Sequence, residues 1–244
     1  MANTQTKTVD VFKSVVYRIP ALFYETESNT LLAFAEQRET EANCTAKELV
    51  NKSHNLLVEK AKLDNYRPLN PCPVFEKNTK TLFLFFICVE DRVEEQWQIK
   101  NRTNKARLCY ITSEDLGQNW SEVTDLTYTL GEIKNWATFA VGPGHGLQMK
   151  KGRLIVPVYA YVCSSSSKSN EATSYAFALY SDDRGSTWKL GQMLQTQSGE
   201  CQMAEIFDGD KSSIYCNACS QGAYKPSGFD DHRNTHCKSF FFTY

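Results

Sequence analysis

The side chains of this chain that could do chemistry are spread far apart. Arg18 lies in VYRIPAL, Arg38 closes TLLAFAEQR, and Glu200 stands in GECQMAE with Glu205 five residues on. A planar guanidinium clamps a carboxylate bidentately, and a positioned carboxyl can give and take a proton. Other chemistries are poorly supported. Nine cysteines are present, but the one close pair is Cys216 and Cys219, with no second CxxC and no histidine pair at zinc spacing, so no metal site is expected. GPGHG at 142–146 lacks the G-K-S/T ending of a phosphate loop and reads as a tight turn. His145 within it has no serine or cysteine partner, and His54, His232 and His236 form no cluster. Twenty-seven basic against twenty-eight acidic residues give a net charge of -1, which offers no electrostatic grip on nucleic acid.

Residues so scattered need a fold to bring them together. Short strand-like runs dominate: TLLAFAEQ, TLFLFFICV, ARLCYITS, RLIVPVYAYV, YAFALYSDD and SIYCNAC. TLFLFFICV is apolar on both faces and is predicted to be a central strand, with Cys88 a buried free thiol. Pro157 predicts an edge position or a bulge. The best helical candidate is the polar stretch 40–64. SEDLGQNW (113–120) and SDDRGSTW (181–188) share S-x-D-x-G-x-(N/T)-W, each after a strand, 68 residues apart. Aspartate can bond turn amides, glycine supplies a positive φ, and tryptophan packs beneath. Such recurrence predicts radially repeated blades in an all-β chain, about 3.6 of them at one box per blade.

These boxes are similar to the Asp-boxes of the sialidase (neuraminidase) family. VYRIPAL, LLAFAEQR, LNPCP, WATFAVGPGHG and GECQMAE followed by YCNA resemble, in that order, the vertebrate cytosolic and plasma-membrane sialidases. The similarity runs from Val15 to Ala218, with a divergent patch over 39–57. The resemblance implies a six-bladed propeller, here partial, with 1–219 the incomplete propeller and 220–244 an irregular tail. It implies an exo-α-sialidase acting on gangliosides, glycoproteins and oligosaccharides, without metal or organic cofactor. In that family three arginines clamp the sialic acid carboxylate, and an acid/base carboxyl serves the leaving group. A tyrosine paired with a glutamate is the nucleophile, outside the usual two-carboxylate scheme.

Carried over by position, Arg18 matches a clamp arginine, and Arg38 a further substrate-contacting arginine. Glu200 matches the nucleophile's glutamate, with Glu205 in support, and Asn70, Glu95, Tyr159 and Tyr161 match pocket-lining positions. Two matches depart from the family. The catalytic aspartate falls on Asn43, which cannot titrate, and the second clamp arginine falls on Cys219. No counterpart of the third arginine or the tyrosine is found in 220–244. The resemblance therefore implies a site that binds sialylated glycolipids and glycoproteins and does not turn them over. A catalytically dead sialoglycan-binding relative, or a non-functional fragment, is the alternative. A propeller scaffold for protein partners is the weaker third reading, because YRIP and GECQ would then be unexplained. The N-terminus carries Lys7 and Asp10 where a signal peptide needs an apolar run. The expected location is therefore cytoplasmic, with peripheral attachment to the plasma membrane left open. An open ring of blades also exposes an apolar flank, which would favour self-association.

Overall fold

The computed structural model describes residues 16–53, 56–163, 172–208, 211–220 and 236–242. The side chains of 43, 56–57, 208, 211, 220 and 236–242 lie outside that description. Four antiparallel sheets follow one another along the chain. The first holds β1 (Val16–Glu25), β2 (Thr30–Arg38), β3 (Ala46–Asn51) and β4 (Leu56–Leu57). The second holds β5 (Tyr66–Glu76), β6 (Thr81–Glu90), β7 (Ala106–Ser113) and β8 (Thr124–Asp125), with helix α1 (Glu95–Asn101) between β6 and β7. In the third, β9 (Trp136–Val141) and β10 (Leu147–Gln148) share one edge of β11 (Leu154–Cys163), followed by β12 (Ala172–Ser181) and β13 (Lys189–Leu190). The fourth holds β14 (Cys201–Asp208), β15 (Lys211–Ser220) and β16 (His236–Phe242).

Alternation explains how the blades stack. TLFLFFICV forms the body of β6, paired on both sides and buried along its length from Leu82 to Val89. Phe83, Phe85 and Ile87 join the core shared with the later blades, whereas Leu82, Leu84 and Phe86 join the core shared with the first. Each Asp-box tryptophan locks its own blade onto the one before. Trp120 meets Phe34 of β2 at 6.1 Å between ring centroids, and Trp188 meets Phe85 of β6 at 4.7 Å. The boxes share the same framework bonds. Gly117 and Gly185 donate N–H to the Ser113 and Ser181 hydroxyls at 2.8 Å, and Asn119 and Thr187 donate to Asp115 and Asp183 at 2.8 Å. Both glycines sit at positive φ, 84° and 89°.

Several expectations are corrected. The stretch 40–64 is not helical: it forms a 3-10 turn (Asn43–Thr45), β3 and β4. The strand β3 runs between β2 and β4 with Ala46, Leu49, Val50 and Asn51 buried, so burial of consecutive residues on both faces removes the apolar–polar alternation that marks a strand. Helix α1 goes unannounced because seven residues are too few for a periodic signal. Pro157 lies on neither an edge strand nor a bulge. It pairs in register with Ala178 inside β11, and its missing N–H faces the gap between β9 and β10, where the loop from Gly142 interrupts the partner strand. Within the tail expected to be irregular, residues 236–242 form β16, pairing Cys219 with Cys237 in register. The phenylalanine run there has high strand propensity. The eight cysteines of the described side chains are free, Cys88 among the buried ones.

Candidate active site

In three blades the first strand bends or ends at a step that is written in sequence. Ile19-Pro20 in β1, Asn70-Pro71 in β5 and Gly142-Pro143 after β9 each put a residue at positive φ (52°, 56° and 69°) before a proline. In β1 and β5 the ladder breaks there, between Arg18 and Ala21 and between Leu69 and Cys72. A β-branched residue at positive φ is strained by roughly 1–3 kcal/mol, a feature that clusters at functional sites. Ile19 and Asn70 both line one cavity of about 70 Å³.

Arg38, Glu95, Tyr159 and Glu200 line the same cavity, so residues from four blades meet at one end of the strands. Arg38 is buried. Its Nε donates to Glu36 Oε2 at 2.7 Å, its Nη2 donates to the same oxygen, and Nη1 donates to the Glu41 carbonyl at 2.9 Å. Among the described residues three of its five N–H groups are thereby used, leaving two for a ligand. The Tyr159 hydroxyl donates to Glu95 Oε1 at 3.5 Å. Desolvation pushes the Glu95 carboxyl up, and repulsion from Glu200 adds to it. Glu200 reaches solvent, yet the surrounding protein desolvates it and raises its carboxyl, opposed by the charge of Arg18. Burial raises the Tyr159 phenol well above its ordinary value, with the charges of Glu95 and Glu200 adding to the rise.

Other expected residues fall at graded distances from this centre. Arg18 is exposed at the start of β1, beside the cavity-lining Ile19, and its field reaches both Glu36 and Glu200. Tyr161 is buried behind Tyr159, ring centroids 6.3 Å apart, and does not line the cavity. The backbone of Asn43 opens the 3-10 turn, and its side chain lies outside the described residues. Glu205 turns away, accepting from Lys150 N at 2.8 Å in the third blade. Cys219 stands beside Glu200: its N–H donates to the Glu200 carbonyl and its carbonyl accepts from Gly199 N, both at 2.8 Å.

Sequence reasoning missed Glu36, Arg67, Gln98 and Thr138. Arg67 donates Nη1 to the Glu90 carbonyl at 2.8 Å and Nη2 to the Val93 carbonyl, tying down the turn that leads into α1. Gln98 on α1 faces the cavity three residues after Glu95 and accepts from Lys105 N at 2.7 Å. The positive-φ-then-proline repeat would have located the rim, had it been compared across RIP, LNP and VGP.

Residues 30–225 match the BNR repeat-like domain. The chain is 46% identical over 221 residues to Sialidase-2 of Rattus norvegicus, which covers 84% of this chain and 58% of that protein. It is 43% identical over 237 residues to Sialidase-3 of Mus musculus, covering 88% and 56%. The chain belongs to the sialidase family. Among solved structures, the Hadza microbial sialidase Hz136 superposes with a TM-score of 0.66 at 18% identity, covering 93% of this chain and 46% of that one. A leech intramolecular trans-sialidase superposes at 0.63 and 16% identity, covering 89% and 50%. At those identities the structures speak to the fold, which is that of the sialidase propellers. This sialidase-family chain spans a little over half the length of these curated relatives.

Proposed function

We propose that this chain carries part of an exo-α-sialidase site, which recognises terminal sialic acid on gangliosides, glycoproteins and oligosaccharides. We propose further that these 244 residues bind it without hydrolysis. Arg18 and the two free N–H groups of Arg38 supply cations for the sugar carboxylate, and Asn70 and Glu95 supply polar contacts to its arms. The cavity of about 70 Å³ is far below the roughly 300 Å³ at which ligand pockets begin, so the sugar would lie partly in the open.

The observation that carries the reading of no turnover is the pairing of Cys219 with Glu200. The resemblance asks for a clamp guanidinium at Cys219, and a thiol cannot supply its fork. Asn43 stands where an aspartate would titrate, and a general acid is worth roughly a hundredfold to ten-thousandfold. Among the described residues Tyr159 is the only tyrosine lining the cavity, and burial with the charges of Glu95 and Glu200 raises its phenol well above the ordinary value, which disfavours the phenolate a nucleophile needs. The proposed setting is cytoplasmic, with peripheral membrane contact through glycolipid substrates and self-association through the open flanks.

A fluorogenic sialoside assay of the 244-residue chain between pH 4 and 7 tests this directly. No cleavage above background is expected, together with measurable binding of free sialic acid. Turnover that disappears in Glu200→Ala would overturn the reading of an inactive site.

A further inference from the structure

Two buried carboxylates, Glu36 on β2 and Glu76 at the end of β5, differ in what they hold. Glu76 closes a turn. It accepts from Thr79 N at 2.5 Å, Asn78 Nδ2 at 2.7 Å and Gln148 Nε2 at 2.7 Å, and among the described residues no cation touches it. Glu36 is 0% exposed, and both its oxygens go to residues of the candidate site. Oε2 takes Nε and Nη2 of Arg38, and Oε1 takes the backbone N–H of Asn70 at 2.6 Å. Arg38 and Asn70 belong to different blades, so this single carboxylate spans the seam between the first and second. Arg18 and Arg67 also act on it through their charge.

We infer that Glu36 is a positioning residue for the sialoside site, holding the Arg38 guanidinium and the Asn70 bulge in the geometry a ligand meets. The inference rests on the proposed sialoside reading for its ligand, and on geometry alone for its positioning. Without Glu36, two N–H groups of a buried guanidinium and one strained backbone N–H would lose their acceptor, each an uncompensated buried donor. Arg38 would then be free to swing toward the Glu41 carbonyl that it already holds. Aspartate, shorter by one methylene, cannot reach Arg38 and Asn70 together. Glutamine keeps the volume, but it presents one N–H₂ where an acceptor is needed.

The experiment uses the 244-residue chain, N-acetylneuraminic acid as probe, and nitrogen–proton NMR of the Arg38 Nε–H and Asn70 amide. In Glu36→Gln both resonances should shift and sialic acid affinity should fall at least tenfold, with Glu36→Asp recovering part of the loss. Glu76→Gln is the control: it should lower the melting temperature and leave both resonances and the affinity in place. Unchanged Arg38 and Asn70 signals in Glu36→Gln, or an affinity loss equal in the Glu76→Gln control, would overturn the inference. If the wild-type chain binds no sialic acid while the two signals still move in Glu36→Gln, the sialoside reading fails and the positioning geometry stands.

Discussion

Glu200 feels one cation, Arg18, and its backbone is tied to a cysteine. That asymmetry can be tested by restoring what the family places there. Cys219→Arg should tighten sialic acid binding about tenfold, since a hydrogen bond to a charged group contributes about 1.5–3 kcal/mol; Arg18→Ala should abolish binding. Calorimetric titration measures both, and an arginine at 219 that leaves affinity unchanged would count against the clamp assignment. Binding should also depend on pH. Glu95 and Glu200 are both raised by desolvation, so they hold their protons above the ordinary carboxylate range. As pH rises through their titration, two negative charges appear beside the sugar carboxylate, and affinity should weaken. A titration that strengthens with pH would exclude these two carboxyls as neighbours of the ligand.

The Asp-boxes were fully readable because each closes its hydrogen bonds within eight residues. For Asp115, burial pulls the carboxyl upward, but donation from Asn119 and Ser113 outweighs it and holds the group at about 2. Asp183 reaches about 2 chiefly through the Thr187 hydroxyl. Both are therefore depressed in the folded state, so their stabilisation is complete above about pH 4 and is lost as pH falls toward about 2. Asp115→Ala with Asp183→Ala should lower the melting temperature at pH 7 and flatten its decline in acid. An unchanged acid slope would argue against the turn geometry. Gly185→Ala should destabilise by more than the roughly 1–2 kcal/mol of a left-handed residue, because the added Cβ would lie 2.3 Å from Phe83. Denaturant unfolding measures it. Other elements were hidden for physical reasons. In β3 the consecutive residues Leu49, Val50 and Asn51 are all buried, so no apolar–polar alternation shows, and Pro157 is tolerated in a central strand because its partner strand is interrupted opposite it. Arg38 and Glu200 stood out through the motifs around them. Glu36, inside the same AEQR, was passed over, because its partner Asn70 is thirty-four residues away and only the stacking of two blades brings them together.

Among the described residues each blade packs against the next, and exposed large apolar side chains stand on the first and fourth blades. In β1, Ala21 and Phe23 point toward the second blade, where Phe23 meets Phe75 at 5.4 Å. The alternate residues Leu22 and Tyr24 are 51% and 52% exposed, and Leu31, paired with Tyr24 on β2, is 51% exposed. On β14 of the fourth blade Ile206 and Phe207 remain 39% and 55% exposed. Leu22 and Tyr24 border a cleft of about 960 Å³ that Phe75 and Leu147 of the next two blades also line. Apolar surface gathered on one sheet face favours association, at roughly 25 cal/mol for each Å² removed from water. The proposed self-association should therefore run through Leu22 and Leu31 rather than through the sugar-binding end. Leu22→Ser with Leu31→Ser should shift the chain toward monomer in sedimentation velocity and leave sialic acid binding intact. Both residues lie at the end of β1 and β2 away from Arg18 and Arg38, where the paired strands begin and end on the site side. A wild-type chain that sediments as a monomer across the micromolar range would sink the proposal. Oligomers that persist unchanged in the double variant would move the contact to Ile206 and Phe207 on the opposite end blade.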